Sequence, residues 1–210
     1  MNIPRRIALL NELNKRASAA SKPTFSFDDF AFDAQKKLFR STGARFRTAV
    51  CSRRSGKSVG IVGDMFDTCL SSPGVTCLYL TITHANVRSI IWRDIQEIKQ
   101  KYKIDCDLNN LRMEVKFPNG SIISTGGVKD ASVIETYRGW KIKKAYIDEC
   151  QSMRPHVQEL IKAVLIPALR DHRGSLYLTG TPGATKTGFF YEYSHNPKWF
   201  NCSWTAFENP

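Results

Sequence analysis

Three short stretches of this sequence carry residue types suited to handling phosphate esters. In Cys51-Ser-Arg-Arg-Ser-Gly-Lys-Ser58, the triplet Gly56, Lys57, Ser58 falls between an apolar run at 47–50 and a helical pattern at 58–70. A phosphate at such a strand-to-helix junction meets unpaired N–H groups and the positive end of the helix dipole. Lys57 is then the cation for the β- and γ-phosphates of a nucleotide such as ATP, and Ser58 a ligand for Mg2+. Ser52, Arg53, Arg54 and Ser55 complete the loop. The general pattern G-x-x-x-x-G-K-[ST] begins with glycine, and here that position is Cys51. Taken alone, the triplet reads equally as a solvated basic turn before a helix.

The second stretch, Lys144-Ala-Tyr-Ile-Asp-Glu149, reads as a strand whose polar end carries two adjacent carboxylates. Neighbouring side chains on a strand point to opposite faces. Asp148 can therefore face a Mg2+ shell while Glu149 addresses the water that attacks the γ-phosphate. The third, Ser175-Leu-Tyr-Leu-Thr-Gly-Thr-Pro182, is an apolar strand ending in small hydroxyl residues. Thr179 and Thr181, on either side of Gly180, are placed to sense the γ-phosphate from a neighbouring strand tip; by itself the segment also reads as a turn.

The elements that must position these residues follow from periodicity. Residues 30–40 read as a short helix ahead of the loop, with Gln35 either a surface amide or a reader of the adenine edge. A strand at 75–81 precedes a helix at 85–101 with Val87, Ile90, Ile91, Ile95 and Ile98 on one side. Residues 113–124 alternate polar and apolar across Pro118-Asn-Gly120, a hairpin pattern. The glycine-containing stretch 126–140 reads as a loop suited to movement, ending in Arg138-Gly139. A helix is expected at 153–171, kinked at Pro167, and a helix then a strand at 199–204 close the chain. Strand alternating with helix is the signature of an α/β fold with a mainly parallel sheet. Ahead of this core, Ile7, Leu10 and Leu13 recur at helical spacing among basic residues. Residues 1–24 are therefore expected to form a helical arm that docks on the domain or contacts a partner, and residues 25–210 one domain.

Thirty-one lysines and arginines against 19 acidic residues give a formal charge of +12, which points to a polyanionic partner beyond a nucleotide. The six cysteines, Cys51, Cys69, Cys77, Cys106, Cys150 and Cys202, form no C-x-x-C pair, which suits free thiols in a reducing compartment and no zinc site. No apolar run reaches membrane-spanning length and no signal-peptide pattern opens the sequence, so a soluble cytosolic protein is expected.

With these pieces in order, the chain resembles the N-terminal ATPase domain of the large terminase subunit, the DNA-packaging motor of tailed bacteriophages. The resemblance covers roughly residues 25–210 and rests on Ser52-Arg-Arg-Ser-Gly-Lys-Ser58, Asn119-Gly-Ser121, Arg138-Gly139, Ile147-Asp-Glu149, Thr179-Gly-Thr-Pro182 and the closing Glu208-Asn-Pro210. It implies a P-loop NTPase of the ASCE, RecA-like type, a three-layer sandwich with one strand between the phosphate-loop and carboxylate strands. It implies ATP and Mg2+ as ligands, Glu149 as the catalytic carboxylate, Arg53 on phosphate, Arg138 completing a neighbour's active site, and Thr179-Gly180-Thr181 as the coupling motif. Double-stranded DNA, the portal protein and the small terminase subunit are the implied partners, a ring of copies the packaging form, monomer the form in isolation, and the cytoplasm of the infected host the setting. The family's nuclease half has no counterpart here, as expected of an ATPase domain alone or a short form.

A superfamily 2 helicase module shares the strand order and the Asp-Glu pair but needs a second RecA-like lobe, which this length does not accommodate. A nucleic-acid-binding regulator with a degenerate nucleotide site would fit Cys51, against which stand Lys57, Ser58, Asp148 and Glu149. A nucleotide kinase would require an acceptor pocket in place of a water-directing glutamate.

Overall fold

The computed structural model describes residues 25–183 and 186–210; the expected arm at 1–24 lies outside them. Two short helices come first, α1 (Phe27–Phe30) and α2 (Asp33–Arg40). The single helix expected at 30–40 is thus divided, because Ala31 and Phe32 are extended and Phe32 serves as the N-cap of α2. β1 (Phe46–Cys51) leads into α3 (Lys57–Ser71), then β2 (Thr76–Thr81). Helix α4 occupies 84–101 and contains a π-helical stretch, Arg88–Trp92. β3 (Asp107–Asn109), β4 (Glu114–Lys116) and β5 (Ile122–Gly127) follow. After β6 (Lys144–Ile147), helix α5 occupies 156–168, shorter at both ends than expected, with a π-helical stretch at Leu160–Leu165 immediately ahead of Pro167. β7 (Ser175–Gly180), α6 (Phe189–Ser194) and β8 (Phe200–Trp204) complete the order.

The eight strands form one sheet in the order β3-β4-β5-β2-β6-β7-β1-β8. All pairings from β5 to β8 are parallel, and β3 and β4 add an antiparallel edge. The hairpin expected across Pro118-Asn-Gly120 is the β4–β5 pair, extended by β3. β7 lies between β1 and β6, so the phosphate-loop strand and the carboxylate strand are next-nearest neighbours.

Alternation along the parallel strands separates two apolar layers. Tyr79, Tyr146 and Tyr177 stand in register across β2, β6 and β7 and face α1 to α4 with Phe27, Leu38, Ile61 and Phe66. Leu78, Leu80, Ile147 and Leu178 face the other way, against Leu160, Ile161 and Leu165 of α5 and Phe190 of α6. Helices on both faces of a mainly parallel sheet make the three-layer α/β sandwich, and its parallel strands all end toward one edge, where such folds bind ligands.

Candidate functional site

The loop between β1 and α3 bends through two left-handed residues, Arg54 (φ 60) and Gly56 (φ 75). A side chain at Gly56 would be strained by that φ and its Cβ would lie 3.0 Å from Asn209 Oδ1, so glycine is required here. The carbonyls of this loop are held from outside. Gln35 Nε2 donates to Gly56 O at 2.7 Å, Trp204 Nε1 to Ser55 O at 2.7 Å, and Asn209 Nδ2 to Arg54 O at 3.1 Å. Three consecutive carbonyls are fixed this way, which holds the loop in shape, and the first-turn N–H groups of α3, left unpaired as at any helix start, suit an anion. Ser52 joins the same frame, its hydroxyl accepting from Ala206 N at 2.7 Å and its N–H donating to Trp204 O.

Across the sheet edge, β6 ends at Ile147, one residue short of the carboxylates. Their divergence therefore arises from a turn, not from strand pleat as expected: Glu149 takes φ 61, ψ 36. Asp148 is fully buried and receives Ser58 Oγ at 2.7 Å, Thr179 Oγ1 at 2.6 Å and Tyr79 OH at 3.2 Å. Glu149 receives Lys57 Nζ at 2.9 Å on Oε1 and Gln151 Nε2 at 2.6 Å on Oε2. Burial would raise the Glu149 carboxyl, but the hydrogen bonds from Lys57 and Gln151 and the charges of Lys57 and Arg53 hold it below the ordinary carboxylate range. Burial would likewise lower Lys57, but Asp148 and Glu149 keep its ammonium above the ordinary lysine value.

Several expected residues are engaged differently from the sequence reading. Gln35 is buried, with Nε2 on the Gly56 carbonyl and Oε1 accepting from Phe32 N at 3.4 Å. Here its amide engages the loop and the α2 cap. The Thr179 hydroxyl donates to Asp148 and is buried. Thr181 acts through its backbone N–H, which donates to Gln151 Oε1 at 3.0 Å. The stretch expected as a mobile loop contains a 3-10 helix, Ala131–Tyr137, with Tyr137 buried over Gly126. Arg138 follows it, exposed, and its guanidinium donates to both Glu135 carboxylate oxygens at 2.6 and 2.8 Å. Arg53 and Arg54 are exposed, and Ser55 is buried. No spacing in the sequence points to Tyr79, Gln151 or Trp204, because each acts through a tertiary contact; Asn209 enters the sequence reading only within the Glu208-Asn-Pro210 motif.

The donor set suits Mg2+, which takes one or two protein oxygens and fills its octahedron with waters and phosphate oxygens. Ser58 Oγ and an Asp148 oxygen lie 2.7 Å apart, as two such ligands can. Among the described residues no group of three His, Cys, Asp or Glu side chains could hold a metal by itself. All six cysteines are free thiols. Among the described residues no helix is long and apolar enough to cross a membrane.

A glycine-bent loop feeding a helix, a Ser-Asp pair, and an Asp-Glu turn one strand beyond the intervening β7 define a P-loop nucleoside-triphosphatase fold of the RecA-like type. The family model for the phage terminase large subunit matches residues 44–199, and the chain belongs to that family. Solved structures agree on the fold. The large terminase ATPase domain of Thermus phage P74-26 is similar at 17% identity, covering 83% of this chain and 80% of that one, with a TM-score of 0.67. The large terminase of a second thermophilic bacteriophage, solved in complex with ADP, is similar at 14% identity over 84% of this chain and 46% of that one, TM-score 0.70. The HK97 bacteriophage large terminase shows 13% identity over 81% and 39%, TM-score 0.64. This chain thus spans most of the P74-26 ATPase domain and less than half of the two longer terminases. No curated protein matches it by sequence.

Proposed function

We propose that this chain hydrolyses ATP in the presence of Mg2+ and that turnover drives double-stranded DNA into a procapsid, with the portal protein and the small terminase subunit as partners, in the cytoplasm of an infected host. The observation that carries the reading is the double bridge between two elements far apart in sequence: Lys57 to Glu149 and Ser58 to Asp148. One end of α3 and one strand end thereby present a cation, a hydroxyl and two carboxylates to a single point beside the loop N–H groups.

In the proposed reaction the β- and γ-phosphates take the loop N–H groups and draw Lys57 Nζ from Glu149 Oε1. That oxygen, ionised at neutral pH, is then available to the attacking water. The water oxygen bonds to the γ-phosphorus, the bond to the β,γ-bridging oxygen breaks, and Glu149 accepts the released proton. Ser58 and Asp148 would hold Mg2+, whose contribution when bound is to neutralise charge on the phosphate oxygens. Arg53, close enough to lower the Glu149 carboxyl, adds positive charge on the same side. Arg138 is proposed to serve a neighbouring copy.

Glu149→Ala should abolish phosphate release while leaving nucleotide affinity within about threefold, since the grip belongs to Lys57 and the loop. Lys57→Ala should weaken affinity about tenfold or more, as loss of a charged hydrogen bond does. Calorimetry with a non-hydrolysable ATP analogue separates the two, and unchanged affinity in Lys57→Ala would overturn the assignment.

A further inference from the structure

Gln151 is placed by the 3-10 turn Cys150–Ser152 that follows Glu149. Its one amide group makes two contacts of opposite polarity. Nε2 donates to Glu149 Oε2 at 2.6 Å, and Oε1 accepts from the backbone N–H of Thr181 at 3.0 Å. A carboxylate only accepts and a backbone N–H only donates, so a bridge between them needs a group that does both. Asparagine has that chemistry without the reach.

Gly180 supplies a second, independent observation. It has an ordinary strand position at the end of β7, so no positive φ demands glycine there. Space does: a Cβ at this position would lie 2.4 Å from Gln151 Oε1 and 2.8 Å from Phe190 Cε1. The glycine between the two threonines is the seat of the Gln151 amide.

We propose that Gln151 is a positioning residue that holds the catalytic Glu149 and ties its position to the Thr179-Gly180-Thr181 segment; this rests on the ATPase reading above. Lys57 is the Glu149 partner that nucleotide phosphates compete for. Gln151 has no such competitor and remains on Oε2. A movement of the Glu149 carboxylate during turnover is therefore passed through one rigid amide to the backbone of Thr181, at the exit of β7. Thr179, on Asp148, gives the same strand end a second anchor on the neighbouring carboxylate. The segment is thus tied to both acidic residues, to Asp148 directly through Thr179 and to Glu149 through Gln151.

The test uses Gln151→Leu, Gln151→Glu and Gly180→Ala. Gln151 is half-buried, and its replacements should fold, which circular dichroism checks. Gln151→Leu should lower kcat about tenfold or more with KM for ATP within about twofold, because the lost bond is to a charged group that does not hold nucleotide. Gln151→Glu sets one carboxylate against another. Its deficit should be largest near pH 8 and shrink as the pH falls and the added carboxyl protonates, a profile that simple loss of packing does not produce. Gly180→Ala should reproduce the Gln151→Leu phenotype by displacing the amide.

A readout independent of hydrolysis is amide hydrogen exchange at Thr181. It should accelerate about tenfold or more in Gln151→Leu, and a non-hydrolysable ATP analogue should change its protection in the native chain but not in the variant. Wild-type kcat in Gln151→Leu, or unchanged Thr181 exchange, overturns the proposal. A native chain without ATPase activity whose Thr181 protection still depends on Gln151 would remove the catalytic reading and leave the bridge standing.

Discussion

Glu149 occupies a left-handed backbone conformation at φ 61, which costs a non-glycine residue on the order of 1–3 kcal/mol and recurs where function fixes the side chain. Its ion pair with Lys57 sets a pH window. Because the folded Glu149 carboxyl lies below its ordinary value, its stabilisation is present above roughly pH 4 and is lost as the pH falls through the folded value. Because Lys57 lies above its ordinary value, its stabilisation is complete below roughly pH 10 and is lost as the pH rises through the folded value. The difference in Tm between the native chain and Glu149→Gln should therefore be flat between these limits and shrink on acidification. A difference that grows as the pH drops from about 6 to about 3 would contradict the pairing. The Asp-Glu pair itself could be read from sequence, since two carboxylates after an apolar run are conspicuous. The turn that aims Glu149 could not, because the strand stops at Ile147, where its paired register with β2 and β7 ends, a tertiary fact.

Helix α3 carries the phosphate loop at its N-terminus, and two features set its position. Gly63 faces α1 so closely that a Cβ would lie 2.5 Å from Phe30 Cε1. Helix propensity alone predicts that Gly63→Ala gains about 1 kcal/mol, whereas overpacking costs about 1–3 kcal/mol. The clash should win or cancel the gain, and a clearly raised Tm would show that α1 moves freely away. The next residue, Asp64, is fully buried and collects Lys144 Nζ at 2.8 Å, Tyr146 OH at 2.7 Å and Arg40 Nη1 at 3.0 Å. This cluster fastens α3 to β6, so it holds Lys57 and Ser58 in register with Asp148 and Glu149. Asp64→Ala strands the largely buried Lys144 ammonium and should cost about 3–5 kcal/mol, against a far smaller loss for Glu97→Ala in the exposed Arg93–Glu97 pair. Denaturant unfolding of the two variants measures both. The sequence exposes α3 through its period and its Gly-Lys-Ser start, but Asp64 looks like any polar residue of a helix. Its partners come from α2 and β6, at separations of 24 and more residues, where local pattern carries no information.

For the whole molecule, the +12 charge makes duplex DNA a natural polyanion, and the contacts should be to phosphate rather than to base edges. Affinity for two unrelated duplexes should be similar and fall steeply with salt, about a hundredfold between roughly 50 and 200 mM if about four phosphates are neutralised; a flat dependence would exclude counterion release as the driving term. The charge excess is visible in composition alone, while its distribution over the surface is a property of the fold. Arg138 poses the corresponding question for assembly. Its guanidinium is exposed and held by Glu135, with Glu159 the next acidic neighbour, so its own contacts lie outside the phosphate-loop set. An exposed pair of this kind contributes little to stability, so Arg138→Ala should leave the Tm nearly unchanged. If it completes the site of an adjacent copy, it stabilises charge on the transferring phosphoryl group, worth on the order of 10³-fold in turnover. Specific ATPase activity of the native chain should then rise with protein concentration, and Arg138→Ala should remain slow at every concentration. Mixing Arg138→Ala with Glu149→Ala chains brings an intact Glu149 in one copy against an intact Arg138 in the other, and part of the activity should return. Concentration-independent activity with no recovery in the mixture would confine Arg138 to a role outside catalysis in trans.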